Sequence, residues 1–244
     1  MKLLLFGATG GTGRKLVEQA LELGHSVTAF ARDPGKVKIT HWNLRVVKGD
    51  ILEPASVTAA VQGQDAVLSA LGIKLPIGKL ILLLVIGQVV SRGLSLPLPA
   101  RIFFEIVVPV LFILLSSGKP VLSEGTTNIV KAMEHSGVKR YICESSLGVG
   151  DSRGQLGFLY SYIIIPLLLR NIFADKEIQE KVIEASTLDW VIVRPAVLSN
   201  GPRTGAYRVN PPAGGKISRA DVAAFMLEQV ASDDYVRKTP GISY

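Results

Sequence analysis

The chain has one cysteine and three histidines in 244 residues. A lone Cys143 excludes a disulfide framework and a CxxC metal site. Its place in the apolar run Tyr141-Ile142-Cys143 reads as a small buried hydrophobe rather than a nucleophile. His25, His41 and His135 are scattered without ligand spacing, so no metal is expected. Charge is also scarce: 19% of residues are charged and 48% hydrophobic, with a mean hydropathy of +0.36. The net charge of +7 raises the question of nucleic acid. No run of Lys and Arg interleaved with aromatics is present, however, and a basic surface also suits phosphate-bearing cofactors, so no nucleic-acid partner is expected. No Gly-Lys-Ser/Thr follows a glycine loop, which excludes a P-loop NTPase. The N-terminus enters an apolar strand after a single Lys, which reads as no cleavable signal peptide and a cytoplasmic location.

What the chain does have is concentrated at its start. Lys2-Leu3-Leu4-Leu5-Phe6 is a short apolar run, followed at once by Gly7-Ala8-Thr9-Gly10-Gly11-Thr12-Gly13. An amphipathic pattern comes next, with Leu16, Val17, Ala20 and Leu21 on one side and Arg14, Lys15, Glu18 and Glu22 on the other. Strand, glycine-rich turn and helix in that order make a phosphate cradle. Gly7 permits the tight turn, Gly10 lets backbone approach a pyrophosphate, and Gly13 lets the helix pack close to the strand. The helix N-terminus offers unpaired N–H groups and a positive dipole end to the anion.

The rest of the chain alternates. Strands are predicted at His25–Arg32, Arg45–Asp50, Asp65–Ala70, Lys139–Glu144 and Trp190–Val193. Helices are predicted at Pro54–Gln62, Ser123–His135 (Ser123 as N-cap, Gly137 as stop), Lys176–Ala185 and Arg219–Val230. Continuous apolar strands between helices indicate an α/β fold, a Rossmann-like doubly wound parallel sheet with helices on both faces, as one domain spanning residues 1–244. Two stretches break the alternation. Residues 73–121 form a long apolar insertion after the fourth strand, with Leu80–Val90 and Ile102–Leu115 as helical pieces too short to span a bilayer. Their basic skew would suit an anionic membrane surface, and packing on the core or on a protein partner is the competing reading. The second stretch, Leu156–Phe173, follows the fifth strand. Both leave the carboxyl edge of the sheet, where ligands bind in this topology, so they are expected to build an apolar pocket or lid there.

Arg32 follows the second strand, where an NAD-specific protein places an acid for the adenosine ribose. A guanidinium there is a clamp for a 2′-phosphate, with Arg14 in support, so NADP is preferred; Asp33, one residue late, leaves NAD open. Asp50 with Ile51 is placed to meet the adenine edge, the alternative being a helix cap. Ala70-Leu71-Gly72 would pass under the ribose and pyrophosphate.

These residues together resemble the atypical short-chain dehydrogenase/reductase superfamily, in its NmrA-like and flavin-reductase-like branch. The resemblance runs through Phe30-Ala31-Arg32-Asp33-Pro34, Ser69-Ala70-Leu71-Gly72, Ser145-Ser146-Leu147-Gly148, Asp175-Lys176-Glu177, Val193-Arg194-Pro195 and Ile217-Ser218-Arg219-Ala220-Asp221. It implies that Ser145 or Ser146 hydrogen-bonds a carbonyl near the nicotinamide. It also implies that Pro195 lines the carboxamide side, that Asn128 supports the site, and that Lys176 matches an active-site lysine of isoflavone-reductase-like relatives. The competing reading of Lys176 is an exposed lysine among Asp175, Glu177 and Glu180. Arg194 reads as a structural brace, and Arg219-Ala220-Asp221 as a helix-start cap. The superfamily's Tyr-x-x-x-Lys is missing: Ile164 follows Tyr160 by four residues, and Pro166 follows Tyr162. The expected function is an NADP-dependent oxidoreductase passing hydride to a hydrophobic carbonyl, quinone-like or flavin-like acceptor. The alternative is a non-catalytic NAD(P)-binding redox sensor or assembly factor of the NmrA-like type.

Overall fold

A computed structural model describes residues 1–73, 88, 97–103, 120–158 and 160–244. The opening strand β1 (Lys2–Phe6) is central because it is apolar on both faces. Leu3, Leu4, Leu5 and Phe6 are all fully buried, and each side chain of this size stabilises by roughly 1.5–3 kcal/mol when buried. It is followed by α1 (Gly11–Glu22), β2 (Ser26–Ala31), β3 (Leu44–Lys48), α2 (Pro54–Val61) and β4 (Ala66–Ser69). After the short α3 (Leu98–Ile102) come α4 (Val121–Ser136), β5 (Arg140–Glu144), α5 (Arg170–Glu184) and β6 (Asp189–Pro195). Short strands β7 (Val197–Ser199), β8 (Arg208–Val209), β9 (Lys216–Ser218) and β10 (Gly241–Ser243) surround α6 (Arg219–Glu228).

The main sheet runs β3-β2-β1-β4-β5-β6-β10-β8, parallel except for the antiparallel β10–β8 pair at its edge, and β7 and β9 pair separately. This is the expected doubly wound Rossmann-like sheet, extended beyond β6 by two strands that the sequence pattern did not announce. Helices α1 and α6 cover one face, packing Leu16, Val17, Val222 and Phe225 on Leu3 and Leu5; α2, α4 and α5 cover the other, with Val57, Ile129, Met133 and Ile183 around Leu4 and Phe6. The chain order reverses between β1 and β4, and the residues at their carboxyl ends meet there.

Two local expectations change. The fourth helix begins two residues before Ser123, with Pro120 at its cap position. The cap comes from Asp175 instead, whose carboxylate accepts from the backbone N–H of Leu122 and Ser123 and from the Ser123 hydroxyl. The helix that was read from Lys176 begins at Arg170 and continues directly from a π-helical turn at Tyr160–Leu169. Gly137, with φ +71, ends α4 as expected. The apolar pieces Leu80–Val90 and Ile102–Leu115 lie outside the described residues except for Gln88, Ile102 and Phe103. Among the described residues no helix is long and apolar enough to cross a membrane.

Candidate functional site

The glycine loop closes on itself and on β4. Gly7 has φ +81, and a Cβ there would stand 2.3 Å from the Ala70 carbonyl oxygen. A Cβ on Gly13 would stand 2.0 Å from the Gly7 carbonyl oxygen, so neither position takes a side chain without moving backbone. Thr9 and Gly10 form the turn between them, sealed by Gly10 N–H donating to Gly7 O at 2.8 Å. The cradle is the one a pyrophosphate requires, and it fits a dinucleotide. Ala70 is buried under it, and Leu71 and Gly72 continue outward along the loop.

Arg32 lies just past β2, exposed, with no hydrogen-bond or ion-pair partner among the described residues, and Arg14 is likewise exposed on the first turn of α1. Asp33 is engaged elsewhere: it caps a short 3-10 turn through Gly35 N–H and pairs with Lys36 at 3.1 Å. The Lys36 hydrogen bond is the main reason its carboxyl sits below the ordinary aspartate range. Asp50 accepts from Leu52 N–H at 3.0 Å, which closes a turn ahead of α2 rather than capping the helix, whose cap position is Glu53. The Ile51 side chain packs where a Cβ on Gly125 would fall, and its carbonyl accepts from Asn128 Nδ2 at 2.9 Å, so Asn128 ties α4 to this corner.

At the end of β5 the structure brings together residues that sequence alone kept apart. Ser145 is buried, and its hydroxyl has no partner among the described residues. Ser146 donates to its neighbour's carbonyl, Leu147 O, at 3.0 Å. Lys176 Nζ approaches the Glu144 carbonyl oxygen at 3.5 Å. Of the acids in the competing reading, Glu177 is at the surface, paired with Arg153 and Lys181, but Asp175 and Glu180 are buried. Asp175 caps α4, Gln179 donates to Thr126 at 2.9 Å, and Glu180 forms a two-point ion pair with Arg194 at 3.1 and 2.7 Å. Helix α5 is therefore fixed to α4 and to β6 and holds Lys176 at the strand end. Arg194 is the brace expected of it, and also pairs with Asp151. Pro195, the last residue of β6, is buried and accepts from Leu147 N–H at 3.0 Å. Leu156, Ile165 and Phe173 converge just past the serines, where a Cβ on Gly148 would meet all three within 3.1–3.3 Å. A separate polar cavity of about 450 Å³, lined by Asp151, Arg194, Asn210 and Lys238 among others, contains none of the expected cofactor or catalytic residues.

Glu144 was not singled out from sequence, although it is the acid that ends the buried run Tyr141-Ile142-Cys143 of β5. Its carboxylate is buried on the α1 side and accepts from the Thr12 hydroxyl at 2.9 Å. Burial pushes its pKa up, opposed by the charge of Lys176, the Thr12 hydrogen bond and the charge of Arg219. Cys143 is buried, and its thiol is pushed up to about 12 by burial, which leaves it inert at neutral pH. Asp221 sits in the helix-start cap expected of Arg219-Ala220-Asp221, and its carboxylate accepts from Ser218, Thr204 and Tyr244 hydroxyls and from Thr204 and Gly205 N–H. Burial alone would raise its carboxyl, but the Tyr244 hydroxyl and the two backbone donors outweigh burial and hold it at about 2. A depressed carboxyl contributes stability above its unfolded pKa and loses it as pH falls toward the folded one. The stability gap between wild type and Asp221→Asn in urea unfolding is therefore expected to be fully open above about pH 4 and to close toward the folded-state value of about 2. An unchanged gap at pH 3 would contradict this.

Comparison with known proteins agrees with the cradle. A family model described as NAD(P)H-binding matches residues 7–84 and 104–233. The chain belongs to that NAD(P)H-binding family. An uncharacterized chloroplastic protein of Arabidopsis thaliana is 30% identical over 96% of this chain and 73% of its own length. The photosystem II assembly factor Ycf39 of Synechocystis is 24% identical over 98% of this chain, which spans 61% of that relative. Among solved structures, ChuY, an anaerobillin reductase of Escherichia coli O157:H7, superposes with a TM-score of 0.71 at 22% identity, covering 100% of this chain and 97% of its own. A short-chain dehydrogenase/reductase of Veillonella parvula in complex with NADP gives 0.69 at 18% identity, covering 100% and 94%. At these identities the structures share the fold. With the family match they make this an NAD(P)H-binding domain of Rossmann-like fold.

Proposed function

We propose that the protein is an NADPH-dependent reductase that passes hydride to a hydrophobic carbonyl, quinone-like or flavin-like acceptor. The observation that carries this reading is the β5 terminus: an unpartnered, buried Ser145 hydroxyl, the Lys176 ammonium and an apolar wall of Leu156, Ile165 and Phe173. When bound, the reduced dinucleotide supplies the hydride. Gly7, Gly10 and Gly13 hold its pyrophosphate against the α1 N-terminus, and Arg32 takes the 2′-phosphate. The Ser145 hydroxyl donates to the acceptor oxygen. Lys176 stands in for the missing Tyr-x-x-x-Lys as the nearby cation, stabilising negative charge that develops on that oxygen and relaying a proton from solvent. The apolar wall excludes water and selects a greasy acceptor.

Lys176→Ala is expected to lower turnover with such an acceptor by roughly 100-fold, the low end of general acid–base effects, while the NADPH dissociation constant stays within about threefold. Fluorescence titration and steady-state NADPH oxidation on the same samples check both; unchanged turnover returns Lys176 to a purely structural role. The absent tyrosine–lysine pair and the similarity to an assembly factor support a second reading, a redox sensor that binds NADP(H) without turnover, with a protein or membrane surface as partner of residues 73–121. Selective NADPH binding with no oxidation across a panel of quinones, flavins and tetrapyrroles would favour it.

A further inference from the structure

The loop carries four glycines, and only three of them, Gly7, Gly10 and Gly13, have the fingerprint's duties. Gly11 is left over. A Cβ at Gly11 would stand 2.5 Å from both Cδ and Nε of Arg219, 208 positions along the chain. The arginine side chain fills the space that any other residue at position 11 would occupy. It reaches there from the first residue of α6, whose start is fixed by the reciprocal Ser218–Asp221 cap and by Gln19 of α1, which donates to the Ala220 carbonyl at 2.9 Å. Arg219 spends one donor on Asn200 Oδ1 at 2.7 Å. Among the described residues no carboxylate lies within ion-pair distance of it. The first turn of α1 carries no acid, and Glu144, which feels the arginine's charge, is committed to Thr12. A half-buried guanidinium with most of its donors free therefore lies against the N-terminal turn of the helix that cradles an anion.

We propose that Arg219 is a ligand of the cofactor's pyrophosphate, and that Gly11 is glycine in order to admit it. This rests on the dinucleotide reading of the loop and assigns to that site a residue from the far end of the chain. Backbone N–H groups at a helix N-terminus supply partial charge; a guanidinium adds a full charge and a planar pair of donors matched to phosphate oxygens. The diphosphate bridge is common to NADPH and NADH, so Arg219 contributes to both, unlike a residue that reads the 2′-phosphate.

The test is a fluorescence titration of the full-length protein with NADPH and with NADH, for wild type, Arg219→Ala, Gly11→Ala and the double variant. Arg219→Ala is expected to weaken both nucleotides by the same factor, roughly 10- to 100-fold, as for loss of a charge-assisted hydrogen-bond pair. Competition by adenosine 2′-monophosphate, which lacks the bridge, should not change. Gly11→Ala, which leaves α6 untouched, should push the guanidinium aside and give a similar loss. The double variant should lose no more than either single one, because both remove the same contact. Binding within twofold of wild type in Arg219→Ala overturns the assignment, as does a loss confined to NADPH or full additivity in the double variant. Failure of the wild type to bind either nucleotide is a different result: it removes the dinucleotide reading itself, and the Arg219 role with it.

Discussion

Arg32→Ala is expected to weaken NADPH binding by about 30-fold and to leave NADH binding within about twofold. The loss corresponds to about 2 kcal/mol, the middle of the range for hydrogen bonds to a charged group. Three observations set that selectivity. Arg32 directly follows β2, the strand next to β1 on the ribose side of the cradle. It has no partner among the described residues, so its donors are available to a phosphate. Asp33, the acid one residue past the position of an NAD-type ribose ligand, is held by Gly35 and Lys36. Paired titrations with the two nucleotides decide it: equal loss for both would place Arg32 outside the 2′-phosphate site. The Arg32 and Arg219 variants are each other's control, since one should change cofactor preference and the other should change affinity without preference.

Glu180→Ala should cost about 3–5 kcal/mol of folding stability, because it strands a buried arginine. The Arg194 and Glu180 side chains are 5% and 4% exposed, and they meet at two points. The remaining partner, Asp151, is 82% exposed and contributes little in water. The double variant Arg194→Met with Glu180→Leu should be less destabilised than Glu180→Ala alone, because it removes both charges and retains volume. Urea unfolding midpoints at constant m-value measure this; a loss below about 1 kcal/mol for Glu180→Ala would mean that Asp151 or water compensates the arginine. The pair also bears on function. Lys176 sits one helical turn before Glu180, so the bond from α5 to β6 helps to hold the ammonium at the Glu144 carbonyl. Where a Glu180 variant still folds, it is expected to lose turnover before it loses cofactor binding.

Much of this site is written locally. The cradle depends on seven consecutive residues, at two of which, Gly7 and Gly13, a side chain would strike backbone, and the strands of the central sheet announce themselves as apolar runs because both faces are covered. Arg32 needs only its distance from the end of β2. Those features depend on neighbours within a few positions, and periodicity and backbone geometry act at that range. Other features depend on chain segments that meet only after folding. Glu144 bonds to Thr12 across 132 positions, Asp175 rather than Ser123 caps α4 from 52 positions away, and two of the acids beside Lys176, Asp175 and Glu180, are buried and paired rather than solvated. The three-residue strand β10 is too short to show an alternating pattern, and it exists because β6 offers it an edge. The sequence by itself determined a Rossmann-like fold, its phosphate loop and the cofactor edge, since these are set by local conformational preference and by burial patterns. The tertiary structure alone decided which charges are buried, which lysine reaches the strand end and which arginine leans over Gly11, because burial and pairing are properties of contacts that no local window of the chain contains.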